Sequence, residues 1–237
     1  MKLAIMQPYW FPYIGYWQLI NAADVFVLYD NIQYTKKGWI NRNRFLQNGK
    51  YETFTIPLVK DSSYLDICKR KVSDIYDRKK ILSQLENAYS KAPYRKEIMP
   101  LLNKIINFEE NNLFKYIHNS IVELTKYMDI DTNLLISSSL DIDHNLKKQD
   151  KVIEICKYLN ADTYINPIGG IELYNDKDFK KSGIELKFLQ PGYVEYKQFD
   201  NDFVPWLSII DVLMFNELNS IRNMLNKFSL IAGNIYE

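Results

Sequence analysis

Between Asp30 and Arg44 the sequence reads DNIQYTKKGWINRNR, a stretch crowded with side chains that recognise anions and handle protons. Arginine presents a bidentate fork and lysine a point charge, so Lys37, Arg42 and Arg44 are candidates to clamp a pyrophosphate. Asp30 can orient an attacking amine or accept its proton. Asn41 and Asn43 can donate to an oxyanion, and Asn31, Gln33 and Trp39 complete the candidate substrate contacts. A plainer reading stands beside this one. Lys36 and Lys37 also suit a solvated turn before Gly38, and Arg42 and Arg44 also suit alternate positions of a strand whose charged face pairs with acids.

The stretch QPYWFPYIGYW, Gln7 to Trp17, supplies ring faces where a nucleotide-binding fold usually keeps a glycine-rich turn. Gln7 carries an amide that donates and accepts. Pro8 and Pro12 fix φ, and Gly15 allows close approach of a helix or ligand. Tyr9, Tyr13 and Tyr16 are the candidate ligand-facing rings, since such a ring offers a large apolar face and a polar edge. Core packing is the competing use for Trp10, Phe11, Tyr13, Tyr16 and Trp17.

Later candidates are sparser. Ser137 and Ser138, in LLISSSLDI, can contact phosphate or cap a turn. Gly169 and Gly170 permit backbone approach to a ligand or form a plain turn. Asp211 interrupts the apolar run LSIIDVLMF, where a carboxylate must be exposed, paired or functional. Asp141, Asp143 and His144 read as a solvated loop, and no metal site is assigned. GxSxG, Walker and paired Cys/His motifs are absent, which disfavours a covalent enzyme.

These residues need elements to hold them. Lys2 to Met6 reads as a buried strand, Tyr13 to Ala23 as a helix and Val25 to Tyr29 as a second strand, a unit that argues for a parallel sheet. Thr53 to Leu58 and Leu65 to Lys71 are further strand candidates. Helical periodicity runs from about Arg78 through Tyr127, punctuated by Pro93, Pro100 and NFEENN. Alternation then returns with a strand from Asn133, a helix over Gln149 to Leu159, and strands at Asp162 to Asn166 and Ile184 to Leu189. One or two helices follow between Pro205 and Phe228. The expected fold is α/β, Rossmann-like and mainly parallel. Residues 1–75 form an N-terminal α/β part with the ligand-turn motifs, 76–130 a helical block, and 131–237 a C-terminal α/β part completing the same unit. In such a sheet ligands sit beyond the carboxyl ends of the strands, which is where the loops after Met6 and Tyr29 fall.

With 237 residues, 47% of them hydrophobic, the chain can bury a proper core. Its 30 basic and 29 acidic side chains nearly cancel, and RNP-like patterning is missing, so nucleic acid is not expected as a partner. Neither a signal peptide nor an apolar run near twenty residues is present, which points to the cytoplasm. Cys68 and Cys156 stand apart and fit reduced core residues.

The motifs MQPYWFPYIGYWQLI, DVFVLYDNIQYTKKGWINRNR, LLISSSLDI, ADTYINPIGGIELY, GIELKFLQP and PWLSIIDVLMFN together resemble the WbqC-like family of bacterial proteins, in order and across nearly the whole chain. That resemblance implies a place in clusters for O-antigen and other surface polysaccharides, and transfer of a glycyl or related acyl group onto a nucleotide-linked amino sugar. It implies a small-molecule substrate and an acyl-carrier or aminoacyl donor, and it leaves any cofactor unknown. The strand, turn and helix followed by ISSS are also similar to the nucleotidylyltransferase superfamily. There, however, the turn carries HxGH, and this chain has YIGY, Tyr13 to Tyr16, whose tyrosines bring no positive charge to a phosphate. Two alternatives therefore accompany the transferase: a nucleotidyl transferase or adenylate-forming enzyme with a modified first motif, and a non-catalytic sugar-nucleotide-binding protein.

Overall fold

A computed structural model describes residues 1–233. The chain opens with β1 (Lys2–Met6), α1 (Ile14–Ala22) and β2 (Val25–Leu28), then forms β3 (Arg42–Gln47) and β4 (Lys50–Thr55). Three helices follow, α2 (Arg78–Ala88), α3 (Arg95–Ile106) and α4 (Leu113–Tyr127). Alternation resumes with β5 (Asn133–Ile136), α5 (Lys148–Tyr158), β6 (Thr163–Pro167), α6 (Asp176–Lys181) and β7 (Glu185–Pro191). The described part ends with α7 (Ile209–Phe215), α8 (Leu218–Leu225) and β8 (Phe228–Ala232).

The main sheet has the order β5-β2-β1-β6-β7-β8, and all neighbours are parallel except β8, which runs antiparallel to β7. This is a Rossmann-like α/β sheet, with its strand order reversing between β1 and β6. Period-two alternation sorts the side chains. Ala4, Phe26, Leu28, Ile165 and Leu189 join a core with α1, the β3–β4 hairpin and helices α2–α4, α7 and α8. Leu3, Ile5, Val25, Val27, Tyr164, Leu186 and Phe188 face a smaller core with α5 and α6. Among the described residues no helix is long and apolar enough to cross a membrane, and Cys68 and Cys156 are free thiols.

Several expected elements differ. Residues near Thr53 belong to the separate hairpin, whose Asn48-Gly49 turn has φ of +50° and +72°, the conformation that a tight two-residue hairpin demands. Leu65–Lys71 is irregular, with a 3-10 turn over Ile67–Lys69 and only isolated bridges, from Asp66 to Gln33 and from Lys71 to Asn112, because its neighbours offer no continuous edge. Pro100 lies inside α3 instead of ending a helix. Strand β8, which the sequence reading did not include, adds an antiparallel edge to an otherwise parallel sheet.

Candidate functional site

Three segments distant in sequence meet beside the first turn. Trp10 N–H donates to the Ile40 carbonyl at 3.0 Å. Asn43 Nδ2 donates to the carbonyls of Trp10 and Phe11, at 3.1 and 2.8 Å. From the far end of the chain, Ser208 N–H reaches the Arg44 carbonyl at 2.9 Å and Ile209 N–H reaches that of Pro12 at 3.0 Å. The Pro12 carbonyl also accepts from the indole of Trp17 at 3.0 Å. Pro12 and Asn43 therefore fix the turn against the hairpin and the segment preceding α7.

What this stitching encloses is an aromatic slot of about 170 Å3 lined by Tyr9, Pro12, Tyr13, Trp39, Asn43, Arg44 and Trp206. Strand alternation aims the hairpin residues. Asn41, Asn43 and Phe45 point inward, while Arg42 and Arg44 share the outer face. The two arginines nevertheless differ. Arg42 is occupied, its Nε and Nη2 donating to the carbonyls of Gly38 at 3.0 Å and Lys37 at 2.5 Å. Arg44 lies 4.7 Å from the Trp39 ring centre and 4.5 Å from that of Tyr51, and among the described residues no oxygen accepts from its guanidinium. The stacking positions the cation, and its five donors stay available.

Tyr13 owes its pose to a small neighbour. A Cβ on Gly15 would sit 2.4 Å from the Tyr13 ring, so only glycine lets that ring lie over the start of α1. Tyr13 meets Trp206 edge-on at 5.8 Å. Trp206 is 64% exposed, with φ of +62°, a left-handed conformation that costs a bulky residue about 1–2 kcal/mol. Phe11, buried just behind the slot, has φ of +46°. Burial raises the hydroxyl pKa values of Tyr9 and Tyr13, keeping both neutral.

The family model for WbqC-like proteins matches residues 7–223. The chain belongs to the WbqC-like protein family. It is also similar to the uncharacterized protein Rv1507c of Mycobacterium tuberculosis (strain ATCC 25618 / H37Rv), at 29% identity over 218 residues, covering 91% of this chain and 93% of that one.

In this WbqC-like fold, the remaining residues singled out in the sequence fall into distinct places. Trp10, Phe11, Tyr16 and Trp17 are core, and the Tyr16 hydroxyl donates to the Gln7 carbonyl at 3.0 Å. Gln7 accepts a long bond from Tyr9 through its own side chain. Asn41 accepts from Tyr34 and donates to the Ile56 carbonyl, both at 2.7 Å, while both amide hydrogens of Asn43 serve the turn. Geometry thus gives these two amides a holding role. Lys37 is exposed on its turn, and Gln33 donates to the Ser63 carbonyl at 3.0 Å.

Asp30 is buried at the carboxyl ends of β2 and β5. Its Oδ1 accepts from Ser138 N–H at 2.9 Å, and its Oδ2 from the Ser138 hydroxyl at 2.6 Å. Asn31 accepts from Ser137 at 2.8 Å and bonds His144 Nδ1 at 3.0 Å. Both loops are thereby locked together, and neither acid nor serines line the slot. Gly170 is required by the amide of Asn166, which a Cβ would meet at 2.3 Å, whereas Gly169 has open space. Asp211 is fully buried in the first turn of α7. It accepts from Tyr89 at 2.8 Å, Tyr196 at 2.7 Å and Gln198 at 2.6 Å, and burial pushes its carboxyl up to about 6. Its role is to anchor the segment that carries Trp206.

Two residues escaped the sequence reading. Trp206 was visible only as part of PWLSIID, with nothing local to pair it with Tyr13. Lys151 sits buried on α5, its Nζ 5.1 Å from the Tyr29 ring centre, and burial and Lys147 lower its pKa. Its spacing from Val152 and Ile155 on the apolar face of α5 was the available signal.

Proposed function

We propose that the aromatic slot binds a nucleotide-linked amino sugar and that the protein transfers a glycyl or related acyl group onto its amine during surface-polysaccharide assembly. The observation that supports this reading most directly is Arg44, a stacked guanidinium with no acceptor among the described residues, at the rim of a slot walled by four aromatic rings. A pyranose or base packs on such rings, and a phosphate takes the bidentate fork.

In the proposed step the neutral amine attacks an acyl carbonyl, the N–C bond forms and the bond to the leaving group X breaks. The leaving group departs as HX with the amine's proton. No carboxylate or imidazole lines the slot, so its contribution is orientation of the two reactants. Asn43 supports the slot wall in this scheme, while Asp30 joins the loops after β2 and β5 and Asn41 ties Tyr34 to Ile56.

Calorimetry with UDP- and dTDP-linked amino sugars tests the reading, comparing the wild type with Arg44→Leu and Arg44→Lys. The leucine variant is expected to lose about tenfold or more, the scale of a charge-assisted hydrogen bond. Lysine restores little, because it cannot reproduce the fork and the stacking together. Equal affinity in all three proteins, or no binding of any amino-sugar nucleotide, refutes it. Mass-shifted sugar product from an added acyl donor then separates transfer from binding alone.

A further inference from the structure

A second cavity, of about 230 Å3, adjoins the slot and shares Tyr13 and Trp206 with it. Its remaining wall comes mainly from the segment between β7 and α7, including Tyr193, Val194, Tyr196 and Phe203. The hydroxyls of Tyr193 and Tyr196 are committed elsewhere. Tyr193 donates to Glu195 Oε2 and Tyr196 to Asp211 Oδ2, both at 2.7 Å, and Gly192 N–H is held by the Lys227 carbonyl at 2.8 Å. Most of what faces the cavity is ring face, proline and branched aliphatic carbon.

Such a wall rewards hydrocarbon and penalises charge. Burying an apolar chain there is favourable roughly in proportion to area, whereas a charged group would be stripped of water for few polar partners. Because Tyr13 and Trp206 line both cavities, a group at that seam touches both occupants. The left-handed Trp206 is where the chain stores strain to build the seam.

We infer that this groove holds the aliphatic chain of an acyl donor, presenting its carbonyl at the Tyr13–Trp206 seam to an acceptor in the slot. The inference rests on the acceptor reading above and narrows the donor to an aliphatic acyl compound.

The test uses sodium butanoate, hexanoate and octanoate as probes, titrated by calorimetry into the full chain. Affinity is expected to rise by about fourfold per added methylene until the groove is full. Val194→Trp, a change at a half-buried position that fills the groove, is expected to abolish octanoate binding while leaving UDP-amino-sugar affinity unchanged. Phe203→Ala, which widens the groove, provides a second variant and is expected to weaken octanoate at least tenfold. Arg44→Leu should do the reverse of Val194→Trp, keeping octanoate and losing the nucleotide. Affinity that ignores chain length, or octanoate binding unchanged in Val194→Trp and Phe203→Ala, overturns the groove assignment even if the slot binds nucleotide. Loss of nucleotide binding alone strikes the slot and not the groove.

Discussion

Replacing Asp211 by asparagine should change how stability responds to pH, and the size of the effect follows from the site. The wild-type carboxyl is raised from 3.8 to about 6, chiefly by burial, with the hydrogen bonds from Tyr196, Tyr89 and Gln198 opposing the rise. A folded-state value above the unfolded one means that the native protein holds the proton more tightly. The stability linked to this group is therefore fully present below about pH 3.8 and lost as pH rises through about 6. Two pH units at about 1.4 kcal/mol each give about 3 kcal/mol. Asparagine cannot ionise, so Asp211→Asn carries a constant penalty for mismatched donors and no titration. Urea unfolding at intervals from pH 4 to pH 7 measures the difference between the two proteins. The wild type should lose about 2.4 kcal/mol relative to the variant across that range, because part of the full effect already lies below pH 4. A difference that stays flat, or that grows in favour of the wild type with rising pH, refutes the assignment of a raised carboxyl.

Gly15→Ala should leave global stability within about 1 kcal/mol, since alanine favours the helix, yet weaken amino-sugar nucleotide binding about tenfold by displacing Tyr13; paired melting and calorimetry separate these effects, and undiminished affinity would refute the role given to the ring. Gly49→Ala forces a side chain into φ of +72° and should cost about 1–2 kcal/mol, read from thermal unfolding. An unchanged melting temperature would contradict the hairpin geometry. Lys151→Met should be at least as stable as the wild type at pH 7, because a buried ammonium without a hydrogen-bonding partner among the described residues gives way to a well-packed apolar chain; a loss above about 2 kcal/mol in urea unfolding would show that Lys151 supports the fold.

The central sheet was legible because its strands are short apolar runs set between helical patterns, and the reversal of strand order follows from connecting them. Strand β8 was not, since FSLIA follows directly on a helical stretch and its pairing with β7 is a tertiary choice. Leu65–Lys71 misled for the opposite reason: alternation alone does not make a strand where no edge is free. At the site, residue type singled out Tyr9, Tyr13, Trp39 and Arg44, which the fold gathers around one slot. It could not rank Arg42 against Arg44, because what distinguishes them is the pair of carbonyls at Lys37 and Gly38. Asp30 and the two asparagines looked catalytic by chemistry, but a donor's partners are a property of the fold. Trp206 is brought in by the pairing of Ser208 with Arg44 and of Ile209 with Pro12, contacts that no local pattern encodes.

Strand β2 pairs with β5, yet the hairpin and three helices lie between them in the chain. Contacts within that intervening stretch are largely local and form quickly, while the sheet must wait for distant strands to close around it. The junction where the first turn, the hairpin and the segment before α7 are laced together comes late, because it needs the emergence of Ser208 and Ile209. During synthesis the hairpin and the helical block can thus form well before the slot is closed.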